Sequence, residues 1–164
     1  MARPLTALLT VALLIGTDAG AQSSRAPLQG VWRVVEVRIM GPNARTVTTH
    51  PEPNLTILTA GYYSRAELHA DGPRSAPADV ARASADELRA AWGPFVGEAG
   101  TYELADGHLM TMRPVVAKNP AAMAPGSFKT YSYTLAADTL WVTAERDQNG
   151  AVANPVRVKA VRVE

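Results

Sequence analysis

The chain has 164 residues, 47% of them apolar, with 16 basic and 15 acidic side chains, three histidines and no cysteine. That length suffices for one domain around a single core. A net charge of +1 gives no field that would steer the protein to nucleic acid or an anionic membrane, and without cysteine neither a disulfide nor a lipid-bearing thiol is available.

Residues 1–21 have the order of a cleavable secretory signal. Arg3 supplies a positive charge, Leu5 to Ile15 is an apolar run, and Ala19-Gly20-Ala21 offers small residues for cleavage. The run falls well short of the roughly 20 residues that a bilayer-spanning helix needs. The expectation is an exported protein, periplasmic or secreted after cleavage near Ala21, with no membrane span and no lipid anchor. Residues 22–27 read as a flexible spacer and 28–164 as the folded domain.

Val31 to Met40 (VWRVVEVRIM) is β-branched and free of Gly and Pro, which predicts a strand. Gly41-Pro42-Asn43 breaks it, and the chain reads as a loop through His50-Pro51-Glu52-Pro53. Leu55 to Thr59 and Tyr62 to Leu68 flank Ala60-Gly61 as a hairpin. Ser84-Ala85-Asp86-Glu87 has the capping-box pattern, in which a hydroxyl and a carboxylate each satisfy a backbone N–H. Leu88, Ala91, Trp92 and Phe95 then share one helical face, with Gly93-Pro94 cutting the helix short.

Further hairpins follow. Thr101 to Ala105 and His108 to Val116 are joined by Asp106-Gly107, and Ser127 to Leu135 and Thr139 to Glu145 by Ala136-Ala137-Asp138. Asn149-Gly150 leads to a last strand, Val156 to Val163. The reading is mainly β: an eight-stranded antiparallel up-and-down barrel with one short helix between strands 3 and 4. Eight strands close a barrel around an interior wide enough for side chains or one small ligand.

Leu28-Gln29-Gly30-Val31-Trp32-Arg33 resembles the G-x-W opening of the lipocalins, and the resemblance to bacterial lipocalin-like domains extends through the Leu55 to Leu68 hairpin, Gly100-Thr101-Tyr102-Glu103, Asn119-Pro120 and Thr139-Leu140-Trp141-Val142. It implies a calycin-type barrel in which a Trp of the first strand closes one end and an Arg of the last strand lies across it. Trp32 and Arg162 match those roles, with cation–π attraction and strand-end hydrogen bonds as the physical basis. The chain departs from the pattern at Met112, Arg113 and Tyr131, so no ligand chemistry is carried over there.

Alternation along the strands nominates lumen residues. If Trp32 points inward, so do Val34, Glu36 and Arg38; these charges either pair at the barrel mouth or orient a ligand. Tyr131 and Tyr133 line the lumen if the aromatic face of their strand is the inward one, and Tyr63 is a further aromatic candidate. No catalytic constellation emerges: there is no G-x-S-x-G elbow, no phosphate-cradling Gly loop, no H-E-x-x-H and no thiol. His50, His69 and His108 are dispersed, so neither a metal nor a cofactor is expected. The leading reading is a carrier of one small, largely hydrophobic molecule, working as a monomer or weak dimer. The alternatives are a barrel enzyme of isomerase or cyclase type, in which Glu36 with Tyr131 moves a proton on a small cyclic substrate, and a filled barrel that displays loops to a protein partner.

Overall fold

The computed structural model describes residues 26–164 except Asp71, Pro73 and Gly107. The signal at 1–21 and most of the spacer therefore lie outside the described residues. In chain order the strands are β1 (Gly30–Ile39), β2 (Arg45–Thr48), β3 (Asn54–Leu58) and β4 (Tyr62–Leu68), then helix α1 (Ala85–Trp92), then β5 (Phe95–Ala105), β6 (Leu109–Ala117), β7 (Lys129–Ala136), β8 (Thr139–Asp147), β9 (Gly150–Ala151) and β10 (Val156–Arg162).

The order of neighbours is β10-β1-β3-β4-β5-β6-β7-β8, every pair antiparallel. β10 also pairs with β8, Arg157 to Val161 running against Thr143 to Thr139. The sheet thus closes on itself as a barrel of eight strands, with β2 and β9 as short additions on β1 and β8. Closure removes the exposed sheet edge that an open β-meander would present.

The sequence reading differs from this at three places. Residues 45–48, read as loop, form β2 against the end of β1. With that strand counted, the helix lies after β4 and before β5, not between strands 3 and 4. Phe95 fits a helical apolar stripe by spacing but begins β5, which starts six residues earlier than the expected Thr101. Pro94 cannot supply the next helical N–H, and the Gly93 N–H closes the helix on the Arg89 carbonyl at 2.7 Å.

The helix start follows the sequence reading. Glu87 N–H donates to the Ser84 hydroxyl at 3.2 Å and Ser84 N–H donates to the Glu87 carboxylate at 2.8 Å. These bonds hold the Glu87 carboxyl below its ordinary range. The other end is fixed by Lys118, whose ammonium donates to the carbonyls of Trp92, Gly93 and Phe95, a cation placed where a helix dipole favours one.

The core occupies one end of the barrel. Trp32, Leu28, Tyr102 and Met110 are fully buried there, joined by Leu58, Met112, Leu140 and Ala160. The Trp32 indole N–H donates to the Leu28 carbonyl at 2.9 Å, and the Tyr102 hydroxyl donates to the Thr59 carbonyl at 2.6 Å, so each polar tip of this apolar plug has a partner. The Arg162 guanidinium lies over the Trp32 ring, 4.2 Å from its centroid. Gly30 has φ +139°, and a β-carbon there would run into the Glu164 carbonyl oxygen and the Arg162 guanidinium; only glycine lets the chain cross this end so closely.

Candidate functional site

The lumen wall is set by strand alternation, and one irregularity changes what it contains. Val34 pairs with Ala160 and both face the core, but the next register pair is Glu36 with Lys159. β1 therefore advances two residues against one on β10, a β-bulge that reverses its parity. Lys159 stands 5.9 Å from the Trp141 ring on the outer surface, and Glu36 follows it outward. The Glu36 carboxylate accepts from Arg38 Nε at 2.5 Å on that outer face, where the Arg38 side chain is half exposed.

Glu36 and Arg38 pair with each other, the first of the two readings given for them, and the register past the bulge sets them opposite Lys159 and Arg157. Glu36 and Tyr131 are not brought together. Tyr131 is buried and packs with the core, while Val34 and Tyr133 are partly buried against it. Tyr133 meets the His108 ring edge-on, with centroids 5.4 Å apart.

The polar centre of the lumen is built by β4 and β5. Tyr63, Arg65 and Glu67 alternate inward along β4, and Glu98 stands opposite Arg65 on β5. The Tyr63 hydroxyl donates to Glu98 Oε1 at 3.2 Å, and Arg65 Nε lies 3.0 Å from the same oxygen. An Arg65 terminal nitrogen is 3.7 Å from Glu67 Oε1, and Glu67 Oε2 is 3.0 Å from His69 Nε2 at the mouth. Glu98 is 6% exposed, whereas the Arg65 and Glu67 side chains keep 18% and 17%. These inward-facing side chains thus keep some exposed surface, whereas Trp32, Leu28, Tyr102 and Met110 keep almost none.

The electrostatics follow from burial around unlike charges. Burial pulls the Arg65 pKa down, but Tyr131, Glu67, Glu98 and Tyr63 outweigh it and hold the guanidinium above its ordinary value. Burial pushes the Tyr63 phenol up, and the Glu98 carboxylate pushes it further. Tyr131 is raised first by burial, and Tyr133 by burial alone. The phenols therefore stay neutral, serving as hydrogen-bonding groups. Among the described residues, the centre brings together the Arg65 guanidinium and the side chains of Glu67 and Glu98.

Sequence reasoning nominated Tyr63 and passed over Arg65, Glu67 and Glu98. The alternation Tyr63, Arg65, Glu67 was available as a signal. Glu98 was not, because it lies in a stretch that reads as helix end and turn.

Above the mouth, the segment from His69 to Pro94 carries α1 and forms an open groove of about 620 Å³, bordered by His69, Arg74, Pro77, Glu87 and Pro94. A second groove of about 210 Å³ lies between Arg74 and Trp92. Arg74 ties this segment to the helix by donating to the Ala91 carbonyl at 2.7 Å. Both grooves lie outside the barrel interior, and His69, through Glu67, connects the larger one to the polar centre.

No family model matches the chain, and no curated protein matches it.

Proposed function

We propose that this chain is an extracytoplasmic, lipocalin-like binding protein that holds one small, largely apolar molecule in its barrel. One observation carries the reading: the lumen is plugged by Trp32 at one end, and towards the other a few polar groups, Tyr63, Arg65, Glu67 and Glu98, converge among apolar walls. Binding sites for small molecules have this composition, apolar contact area for affinity and a few fixed polar groups for orientation. The G-x-W opening at Gly30-Val31-Trp32, with Arg162 laid over the indole, supports the lipocalin-like assignment. The leader-like residues 1–21 support export.

Native mass spectrometry of protein purified from its own host tests the reading. A retained small molecule, released on denaturation and lost when the lumen is blocked by Ala144→Trp, is the expected result. Protein that carries nothing, and takes up nothing from a panel of apolar compounds, would overturn it.

A further inference from the structure

Two arginines stand side by side on the outer wall of the barrel. β8, β10, β1 and β2 are neighbours there, and one register row across them reads Thr143, Arg157, Arg38, Thr46. The adjacent row reads Trp141, Lys159, Glu36. Ala160 faces the core, so Lys159 and Arg157, one and three residues before it, face outward, and Glu36 and Arg38 lie opposite them on the same face. Like charges directly opposite each other destabilise a strand pair. This wall nevertheless sets Arg157 against Arg38, with Lys159 next along the same face.

The acids nearby do not answer these charges. Glu36 is engaged by Arg38 Nε at 2.5 Å, and Glu145 on β8 accepts from the Ser132 hydroxyl at 2.5 Å. Among the described residues neither Arg157 nor Lys159 has an ion-pair partner, and the Lys159 ammonium lies instead 5.9 Å from the Trp141 ring. Arg157 is half-buried. Its Nε is shut off from water without an acceptor, while its terminal nitrogens donate to no described residue and keep contact with solvent. A cation partly stripped of water and left without a counter-charge is costly. An anion laid across the row would give the terminal nitrogens their acceptors and offset the repulsion between the two arginines.

We propose that this row is an anion site on the outer wall, separate from the barrel interior, which takes a phosphoryl group between Arg157 and Arg38 with Lys159 as the third cation. The three cations exceed Glu36 by two charges. A phosphate monoester carries about −1.5 to −2 charges at pH 7 and three strong acceptor oxygens, enough for the planar forks of two guanidinium groups. A carboxylate brings one charge and two oxygens, which serve one fork. The Thr143 and Thr46 hydroxyls flank the row as further donors. The phosphoryl group comes from a small free phosphate or from a lipid headgroup, since both present the same oxygens.

Titration of the purified protein with inorganic phosphate and with acetate, at equal ionic strength and followed by amide NMR, tests the site. Phosphate is expected to bind about tenfold or more tightly than acetate, with shifts centred on Arg38, Thr46, Thr143 and Arg157. Arg157→Gln should weaken phosphate binding by about tenfold or more, while Arg82→Gln, on the segment before α1, leaves it unchanged. A general salting effect of phosphate would act on both variants alike. Acetate bound as tightly as phosphate, shifts centred elsewhere, or phosphate affinity that survives Arg157→Gln overturns the proposal. Cosedimentation with phosphatidylcholine vesicles containing phosphatidic acid separates the two sources. Pelleting that Arg157→Gln abolishes assigns the lipid headgroup, and phosphate binding without pelleting assigns a free phosphate. The wild-type comparison of phosphate with acetate needs no variant, so an Arg157→Gln chain that fails to fold still leaves a decisive measurement. Because the site lies outside the barrel, its failure leaves the binding reading above standing.

Discussion

Arg162 and Trp32 face each other across the end of the barrel, guanidinium over indole at 4.2 Å. The same guanidinium donates to the Gln29 carbonyl at 2.5 Å and the Pro27 carbonyl at 2.7 Å, and its Nε to Asp138 at 3.0 Å. Arg162 thus joins the last strand, the entry to β1 and the β7–β8 turn. Arg162→Ala should lower unfolding free energy by about 2–4 kcal/mol, the sum of a desolvated cation–π contact and hydrogen bonds from a charged donor. Arg162→Lys should recover only a small part, since an ammonium lacks the planar fork. Urea denaturation measures both, and a loss below about 0.5 kcal/mol for the alanine variant contradicts this role.

The solid half of the lumen predicts an uneven mutational map. Met110 is 1% exposed, so Met110→Ala should cost about 2–5 kcal/mol. Val115 is 69% exposed at the β6 bulge, and Val115→Ala should stay within about 0.5 kcal/mol. Equal losses at the two positions would mean that the core is not concentrated where Trp32 closes the barrel.

Raised phenol pKa values make the fold sensitive to alkali. Tyr63 and Tyr131 ionise less readily in the folded chain than unfolded. Above the unfolded tyrosine value of about 10, the unfolded state therefore loses protons that the native state keeps, and stability falls as pH rises. Below that value both states are protonated and the contribution is fully present. Tyr131→Phe removes one such group and should move the alkaline unfolding midpoint upward, followed by circular dichroism, and a midpoint that moves down would refute the linkage.

Helix α1 should respond to its cap without the barrel noticing. Ala91 is its one buried residue, so α1 depends on the Ser84 and Glu87 bonds and on Lys118 for its order. Ser84→Ala, worth about 1 kcal/mol, should speed amide exchange across Ala85–Trp92 about fivefold and leave β5 to β8 unchanged. Exchange that rises across the barrel as well would show the helix to be part of the global folding unit.

How much of this was legible in the sequence can be followed residue by residue. The hairpins at Ala60-Gly61, Asp106-Gly107 and Ala136 to Asp138 announce themselves because turn chemistry is local; His108 (φ 61°) and Ala137 (φ 48°) take up the left-handed conformations involved. The capping box at Ser84 is equally local. The β1 bulge is not: VWRVVEVR alternates smoothly, and only the pairing with Ala160 and Lys159 reveals the slip that turns Glu36 outward. The contact between Arg65 and Glu98 depends on the register of two strands separated by the whole α1 excursion. A buried ion pair of that kind is a property of the closed barrel and has no signature in either strand alone.

The closing pair, β10 with β1 and with β8, also sets the order in which the chain can fold. Every other pairing in the barrel joins strands that follow one another or, in β1–β3, are separated only by the short β2, whereas β1 must wait for β10 across nearly the whole domain. Hairpins β3–β4, β5–β6 and β7–β8 can form in microseconds, but the non-local closure comes late and slowly. Until it forms, β1 and β8 remain open edges able to pair with another chain. The barrel should therefore be most prone to aggregation in the interval before β10 is available, and a chain truncated before Val156 should misassemble even with every other strand present.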